Sequence, residues 1–358
     1  MITSEKTLLD RYEPQDAGKI DVDPQVVEAR ISPSGVYLAA ASYDARVRIW
    51  SLENKPPREL SPIVGHNGWV HSIAFHPTES ILYSADSWGK LKATRIGGDK
   101  TQELWVQAKA HEGWIRQIDI SPDGTQIASV APDKRAVLWS ATNGEILREF
   151  DRHKEDIHSV RFDPTGKILA TGDEKGQVRL WDVMNLRLIR QLDASALWLL
   201  HRLQDVGGVR VIRFNHDGSL IACAGVKPAN GGTIQGEPTL FVFDVSTGEQ
   251  QTTMQFGEAK DCQIHDIHWT FDNVMMAVTC GTPGAGKIVF HRPGDEKPFF
   301  ETTKFPNCQS LSYHSQSNLM AVVTTNRNSN GNGRRLNKEG EYEGNNSPIQ
   351  LFKLGKAV

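Results

Sequence analysis

The sequence predicts an all-β protein in which seven units of four antiparallel strands close into a ring. Three observations support this prediction: a strand and turn pattern repeats along the chain, two separate markers each count seven copies, and an N-terminal segment resembles the strands between repeats. The chain has 358 residues, beyond the roughly 250 to 300 at which a single globular core stops growing. Growth by repetition is therefore favoured over one compact core.

The repeated unit contains three strands. Segments 29–50, 116–139 and 158–181 share an apolar strand, a Pro/Gly turn, a second apolar strand, a polar turn and a third strand ending in Trp. The residue before the first turn is Ile31, Phe75, Ile120, Phe162, Phe214, Trp269 and Tyr313. The third strand ends at Trp50, Thr94, Trp139, Trp181, Phe243, Phe290 and Phe352. Because the two markers agree, we predict seven units starting near residues 26, 69, 114, 157, 209, 264 and 308.

A fourth strand is predicted between units. Segments 145–151 and 187–193 both carry apolar residues at their second, third and sixth positions, and the N-terminal segment 7–13 repeats this pattern with Leu8, Leu9 and Tyr12. We therefore predict that residues 7–13 form the outer strand of the last unit. A ring closed in this way leaves no open sheet edge, and residues 1–358 form one domain.

Short motifs in the repeats resemble those of the WD-repeat β-propeller family, and the resemblance covers nearly all of the chain. They are Gly65-His66, Ala110-His111, Arg152-His153, the SPDG and DPTG turns, VLW at 137–139 and RLWD at 179–182. The resemblance implies a seven-bladed β-propeller in which a His, a Ser or Thr, an Asp and a Trp form a hydrogen-bonded array within a blade. The third blade matches this array with His111, Ser129, Asp133 and Trp139. Other blades depart from it: Thr94 replaces the Trp in blade two, Lys175 takes the Asp position in blade four, and blades five to seven end in Phe.

A bulge is predicted near the start of the inner strands. In blade two the apolar residues Val70, Ile73 and Phe75 are spaced three and then two apart, which breaks the strand period and re-aims one side chain. We expect that side chain to face the mouth of the central channel. The same position in blades one to seven holds Val27, His71, Arg116, His158, Arg210, His265 and Gln309. A metal site is not expected, because the three histidines come from alternate blades.

Tryptophans cluster beside these positions. Trp69 and Trp114, with Asp156 in blade four, lie one residue before the first apolar residue of their inner strands, and Trp88 lies in a turn expected on the same face. Each Trp alone could pack between loops, but three on adjacent blades are typical of interaction surfaces. We define the top face as the end of the ring at which the inner strands begin. The predicted partner-binding residues there are Trp69, His71, Trp88, Trp114, Arg116, His158, Arg210, His265 and Gln309.

Charge at these positions favours an acidic partner. Arg116 and Arg210 supply positive charge, and the histidines would add more as the pH falls below roughly 6.5, unless burial keeps them neutral.

Three further segments carry local signals. Residues 281–287, "GTPGAGK", have the spacing of a phosphate-binding loop, but Ile288 replaces the required Ser or Thr and "KIVFH" predicts a strand where a helix is needed. We therefore predict a glycine-rich turn. Residues 194–208 are consistent with a short amphipathic helix through Leu197, Leu200 and Leu203. The Asn/Gly-rich segment 326–347 is expected to be a mobile, solvated loop.

Composition narrows the function. The net charge is −3, which gives no global basic field for nucleic acid. The four cysteines form no C-x-x-C pair and are predicted to be buried and reduced. The N-terminus has no signal-peptide pattern and no segment has the length of a membrane span, so a cytoplasmic location is expected.

The sequence therefore predicts a monomeric, non-enzymatic scaffold without cofactor or metal, which binds a protein or peptide on its top face. Two alternatives stay open. A propeller hydrolase or lactonase would need carboxylates or histidines converging on a metal or substrate at the channel mouth, and a nucleic-acid adaptor would need a basic stripe.

Overall fold

Seven four-stranded antiparallel sheets, the blades, surround a central channel in the computed structural model, which describes residues 5–98, 100–201, 203–228, 236–329, 338–341 and 346–355. The N-terminal elements are α1 (Glu5–Tyr12) and β1 (Pro14–Ile20). Blade one comprises β2 (Val26–Ile31), β3 (Tyr37–Ser42), β4 (Val47–Ser51) and β5 (Arg58–Glu59). Blade two comprises β6 (Val70–Phe75), β7 (Ile81–Asp86), β8 (Leu91–Arg95) and β9 (Gln102–Gln107). Blade three comprises β10 (Gln117–Ile120), β11 (Gln126–Val130), β12 (Ala136–Ser140) and β13 (Ile146–Glu149).

The remaining blades follow the same order from channel to rim. Blade four comprises β14 (Ile157–Phe162), β15 (Ile168–Asp173), β16 (Gln177–Asp182) and β17 (Leu188–Asp193). A hairpin of β18 (Trp198–His201) and β19 (Gln204–Gly207) precedes blade five, which comprises β20 (Val211–Phe214), β21 (Leu220–Pro228), β22 (Gly236–Asp244) and β23 (Gln250–Gln255). Blade six comprises β24 (Gln263–Trp269), β25 (Met275–Cys280), β26 (Ile288–His291) and β27 (Phe300–Thr302). Blade seven comprises β28 (Ser310–His314), β29 (Leu319–Val323), β30 (Ile349–Leu354) and β1. Fold class and blade number are therefore as predicted.

The N-terminus closes the ring, but through a different segment from the one predicted. Residues 14–20 form the outer strand, with Pro14 opposite Leu354 and Ile20 opposite Ile349. The prediction that residues 7–13 form this strand is wrong, because most of that segment belongs to α1. Leu8 and Tyr12 are four residues apart, so they lie on one face of a helix, and both are buried against the core of blades six and seven.

The predicted blade-three array is present. The Nδ1 atom of His111 lies 2.9 Å from the Oδ2 atom of Asp133, and its Nε2 atom lies 2.7 Å from the hydroxyl of Ser129. The indole N–H of Trp139 donates to the same hydroxyl at 2.7 Å. Burial would raise the pKa of Asp133, but its hydrogen bonds to His111 and to the N–H groups of Glu112 and Arg135 together lower the pKa below its usual range.

Blade four also has a complete array, and the assignment of its Asp position to Lys175 is wrong. His153 contacts the carboxylate of Asp173 at 3.1 Å and the hydroxyl of Thr171 at 2.7 Å, and Trp181 donates to that hydroxyl at 2.9 Å. The carboxylate is two residues after Thr171 and not in the following turn. In blade three the array Asp lies four residues after the array Ser, whereas in blade four it lies two residues after the array Thr. Alignment by position therefore misses Asp173.

Polar side chains tie each inner strand to its neighbour. We call this set the polar belt; it comprises Glu28, Ser72, Gln117, Ser159, Asp266 and Ser310, each one residue after a mouth position. Glu28 accepts a hydrogen bond from the Ile73 N–H at 2.6 Å, and the Ser159 hydroxyl donates to the Val209 carbonyl at 2.8 Å. These contacts cross from one blade to the next, so they hold the inner strands in register around the channel.

Asp266 is the most heavily engaged member of the polar belt. Its carboxylate accepts from Arg30 at 2.6 Å, from Arg213 at 2.6 Å and from the Leu311 N–H at 3.1 Å. Burial would raise the pKa of Asp266, but the two guanidinium charges lower it to about 2. The carboxylate therefore stays ionised and joins blades one, five, six and seven.

Three local predictions have clear outcomes. Residues 281–287 form a turn between β25 and β26, with Gly284 and Gly286 at φ +88° and +107°, as predicted. The helix predicted for residues 194–208 is wrong: a 3-10 turn at Ser195–Leu197 leads into the β18–β19 hairpin. All four cysteines are buried and free of disulfides, as predicted. Residues 330–337 and 342–345 of the predicted mobile loop lie outside the described residues.

Candidate partner-binding face

The seven mouth positions line one cavity at the top of the channel. The cavity has a volume of about 430 Å³, and its wall includes Val27, His71, Arg116, His158, Arg210, His265 and Gln309. In blades one, two, four and six the β-ladder shifts register across this position, as at His71 between Val70 and Ser72. The bulge predicted from residue spacing is therefore present in blade two and recurs in three other blades.

In the other three blades the mouth residue lies just before the inner strand. The N–H groups of Arg116, Arg210 and Gln309 donate to carbonyls of the second strands at 2.9, 2.9 and 2.8 Å. Each of these side chains therefore leaves from a fixed backbone position and lines the same cavity without a bulge. Both local arrangements bring the predicted residues together.

Histidines and arginines are paired across neighbouring blades. The Nδ1 atom of His71 lies 3.1 Å from the Arg116 carbonyl oxygen, to which its N–H donates. Arg210 donates from Nη1 to the Nδ1 atom of His158 at 2.9 Å and from Nε to the Gly207 carbonyl at 3.0 Å. Because Nδ1 of His158 accepts this hydrogen bond, the ring proton of the neutral His158 is on Nε2.

Burial keeps the mouth histidines neutral, so they do not add positive charge as the pH falls through 6.5. Burial and the Arg116 charge lower the pKa of His71 to about 4. Burial and the Arg210 charge lower the pKa of His158 to about 2 and that of His265 to about 4. The expected gain in positive charge near neutral pH is corrected accordingly, and the permanent charge at the mouth comes from arginine.

These lowered pKa values predict that the protein loses stability in acid. Between pH 6.5, the ordinary pKa of histidine, and about pH 4, His71, His158 and His265 are protonated in the unfolded chain but neutral in the folded chain. Each should reduce the free energy of unfolding by up to about 1.4 kcal/mol per pH unit as the pH falls. Urea titrations between about pH 7 and pH 5 measure this slope. Replacing all three by Gln should make this slope shallower, although His66, His153 and His268, whose pKa values burial also lowers, still contribute to it. An unchanged slope in that variant would contradict the assignment.

An aromatic cluster lies beside the mouth. It consists of Tyr43, Trp69, Trp88 and Trp114, which line a shallow depression on the top face. Trp69 stacks on Tyr43 with ring centroids 4.7 Å apart and meets Trp114 edge to face at 6.1 Å. Trp69 is 48% exposed and Trp88 is 67% exposed, although large apolar side chains are usually covered. A Cβ at Gly68 would lie 2.4 Å from Cδ1 of Trp88, so the glycine gives this Trp its position.

Trp114 joins the aromatic cluster to the mouth cavity. Its ring is 5.0 Å from the ring of His71, and the Cζ atom of Arg116 lies 4.1 Å from the ring centroid, within the range of a cation–π contact. The three predicted tryptophans and the mouth positions therefore form one continuous surface. Its role in binding a partner is a prediction.

Sequence reasoning missed two parts of this surface. Tyr43 lies in the turn between β3 and β4, and aligning such turns across blades would have placed it on the top face. The β18–β19 hairpin brings Asp205 and Gly207 to the cavity wall, and Leu203 at its tip is 93% exposed. The alternation that marks a hairpin is weak in a segment with so many leucines.

Two other features bear on the function. Among the described residues, no three His, Cys, Asp or Glu side chains lie close enough to hold one metal ion. No helix within the described ranges has both the length and the apolar composition needed to cross a membrane.

Comparison with known proteins shows which parts of the chain match a known repeat. The family model for the WD domain, G-beta repeat, matches residues 23–51, 57–92, 102–140 and 144–182, which correspond to blades one to four. Protein HIR1 of Phaeosphaeria nodorum is 28% identical over 172 residues, which are 44% of this chain and 16% of that protein. Protein HIR1 of Aspergillus oryzae is 28% identical over 185 residues, covering 44% and 18% of the two chains. Protein hir1 of Schizosaccharomyces pombe is 26% identical over 190 residues, covering 46% and 20%.

The matched parts therefore span a fifth or less of the length of these relatives. Four matched repeats, two complete His-Ser/Thr-Asp-Trp arrays and seven four-stranded blades lead to one conclusion. Residues 23–182 contain four WD repeats, and the chain is a seven-bladed β-propeller, the architecture expected of the WD-repeat family.

Proposed function

We propose that this protein is a non-enzymatic scaffold that binds a peptide, or a segment of a partner protein, on its top face. The exposed aromatic cluster next to the mouth cavity is the observation that carries the proposal. Aromatic side chains dominate the energy of protein interfaces because each buries a large area with few rotatable bonds. Trp69 and Trp88 are exposed in the folded chain, so their apolar area is available to a partner.

The arrangement fits a bound segment better than a flat protein surface. Rigid backbone holds the cluster: Tyr43 N–H donates to the Gln25 carbonyl at 3.0 Å and Trp88 N–H donates to the Asp86 carboxylate at 2.9 Å. The adjoining cavity of about 430 Å³ is large enough for side chains, since small-ligand pockets begin near 300 Å³. A partner segment can therefore anchor on the tryptophans and insert a side chain into the mouth.

The test begins with a phage-displayed library of random peptides selected on the whole protein. Peptides that survive selection are synthesised, and their affinities are measured for wild type, Trp69→Ala and Trp88→Ala. Truncating a central aromatic anchor should weaken binding by about 2 kcal/mol or more, which is roughly 30-fold.

Phe271→Ala is the matched control. Phe271 is 78% exposed and lies in the turn between β24 and β25, at the opposite end of the ring from the cluster. Its truncation should leave the affinity unchanged. Selected peptides that lose affinity with Phe271→Ala and keep it with both Trp variants would refute the top-face proposal.

A further inference from the structure

The mouth cavity contains two arginines, Arg116 and Arg210, that have no counter-ion in contact among the described residues. Within the described part of the chain, no carboxylate lies within ion-pair distance of Arg116 or Arg210, whereas Arg30, Arg161 and Arg213 in the channel all form ion pairs. Burial and the charge of Arg116 lower the pKa of Arg210 to about 10. Two neighbouring like charges in a partly buried site oppose each other, and the contacts made by the described residues do not neutralise this pair.

Three hydrogen-bond donors around the same cavity also have no acceptor in the part of the chain that the structure describes. They are the indole N–H of Trp114, the Nε–H of Arg116 and the Nε2–H of His158, each buried and without a hydrogen-bond partner among the described residues. Buried donors of this kind are rare in folded proteins and call for an explanation. A site with unused donors and uncompensated positive charge is suited to an anionic acceptor group.

The acidic residues near the mouth do not fill this role. Asp156 and Glu174 interact with Arg116 only at longer range. Burial is the main cause that raises the pKa of Glu174, and the charge of Asp156 is the second. Asp205 accepts a hydrogen bond from the Trp198 indole at 2.7 Å. These three carboxylates are on the side of blades four and five, whereas the aromatic cluster is on the side of blades one to three.

We propose that the mouth cavity binds the carboxylate of an Asp or Glu side chain of the partner, between the guanidinium groups of Arg116 and Arg210. The inference rests on the proposed function and names the chemistry of its ligand. Planar guanidinium groups hold carboxylates by paired, charge-assisted hydrogen bonds. A side chain is the favoured source because any position of a segment anchored on Trp69 and Trp88 can present one, whereas a chain has a single C-terminus.

The same peptide selection tests this inference. Selected peptides should be enriched in Asp or Glu near an aromatic or aliphatic residue, and each is synthesised with an amidated and with a free C-terminus. Changing the acidic residue to Asn or Gln should weaken binding to wild type at least about tenfold. Arg116→Gln and Arg210→Gln should weaken the parent peptide similarly, Arg116→Lys should recover part of the loss, and the double Gln variant should no longer distinguish acid from amide.

Arg148→Gln, at an exposed position on the outer strand β13, is the matched control and should bind like wild type. Thermal melts of each variant show that the fold is kept. Peptides that depend on Trp69 and Trp88 but are neutral or basic, or that bind only with a free C-terminal carboxylate, would overturn this inference and leave the proposed function standing. A selection that yields no peptide dependent on Trp69 or Trp88 would overturn both.

Discussion

Deleting residues 1–13 will lower the free energy of unfolding by about 3 to 6 kcal/mol, because it removes the buried side chains of Leu8 and Tyr12, each worth roughly 1.5 to 3 kcal/mol. Deleting residues 1–20 will have a larger effect, because it also removes β1 and leaves the edge of β30 unpaired. An open strand edge templates pairing with other chains, so this second variant should also self-associate. Urea denaturation and light scattering measure the two effects.

A point variant tests the contribution of α1 alone. Leu8→Ala should destabilise the protein by about 2 to 5 kcal/mol, as is typical of a buried leucine. Leu188→Ala, on the exposed side of the outer strand β17, should change stability little. If deletion of residues 1–13 leaves the urea midpoint unchanged, α1 does not contribute to closing the ring.

Replacing Asp266 by Ala will destabilise the protein by about 3 to 5 kcal/mol, because removing one partner of a buried ion pair leaves the other charge uncompensated. Arg213 is the residue that loses its counter-ion. Its side chain is only 15% exposed beside Asp266, and its remaining hydrogen bonds go to the carbonyls of Ile267 and Ile212. Arg30 retains its ion pair with Glu28 at 2.6 Å.

A double-mutant cycle identifies the cause. Adding Arg213→Met to Asp266→Ala should restore part of the lost stability, since the methionine fills the space without a charge. Asp123→Ala, in an exposed turn on the bottom face, serves as the control and should have a small effect. Strictly additive losses for Asp266→Ala and Arg213→Met would mean that the polar belt is not stabilised by this charge pair.

The sequence was most informative where structure is local. Blades one to six are meanders of consecutive strands, and the first three strands of blade seven are also consecutive, so the turn and strand-end markers recur at short range and seven blades can be counted. The bulge that turns His71 into the mouth is visible in the spacing of Val70, Ile73 and Phe75 for the same reason. The mouth positions could therefore be found before the structure.

The closing strand could not be found in this way. Ile20 is the one buried side chain of β1, and the others are exposed or half-buried, so the strand has no apolar alternation to detect. The spacing of Leu8, Leu9 and Tyr12 fits a helical face as well as the outer-strand pattern, and tertiary packing decides between them.

Other errors have a three-dimensional origin. The carboxylate of Asp173 and the turn carboxylate of Asp133 play the same part from different sequence positions, because what matters is the distance to the array histidine. The lowered pKa values of His71 and His158 depend on burial and on arginines contributed by neighbouring blades. Burial and the charges of neighbouring blades are not encoded within a single repeat.

Hydrogen–deuterium exchange with and without a selected peptide tests the central claim most directly, since it locates the binding face without any substitution. We expect slower exchange on the top face, around Tyr43, Trp69, Trp88 and residues 111–116, when the peptide is bound. The bottom-face turns at 121–125, 163–167 and 270–274 should be unaffected. Protection confined to the bottom turns or to the outer strands would contradict a top-face binding site.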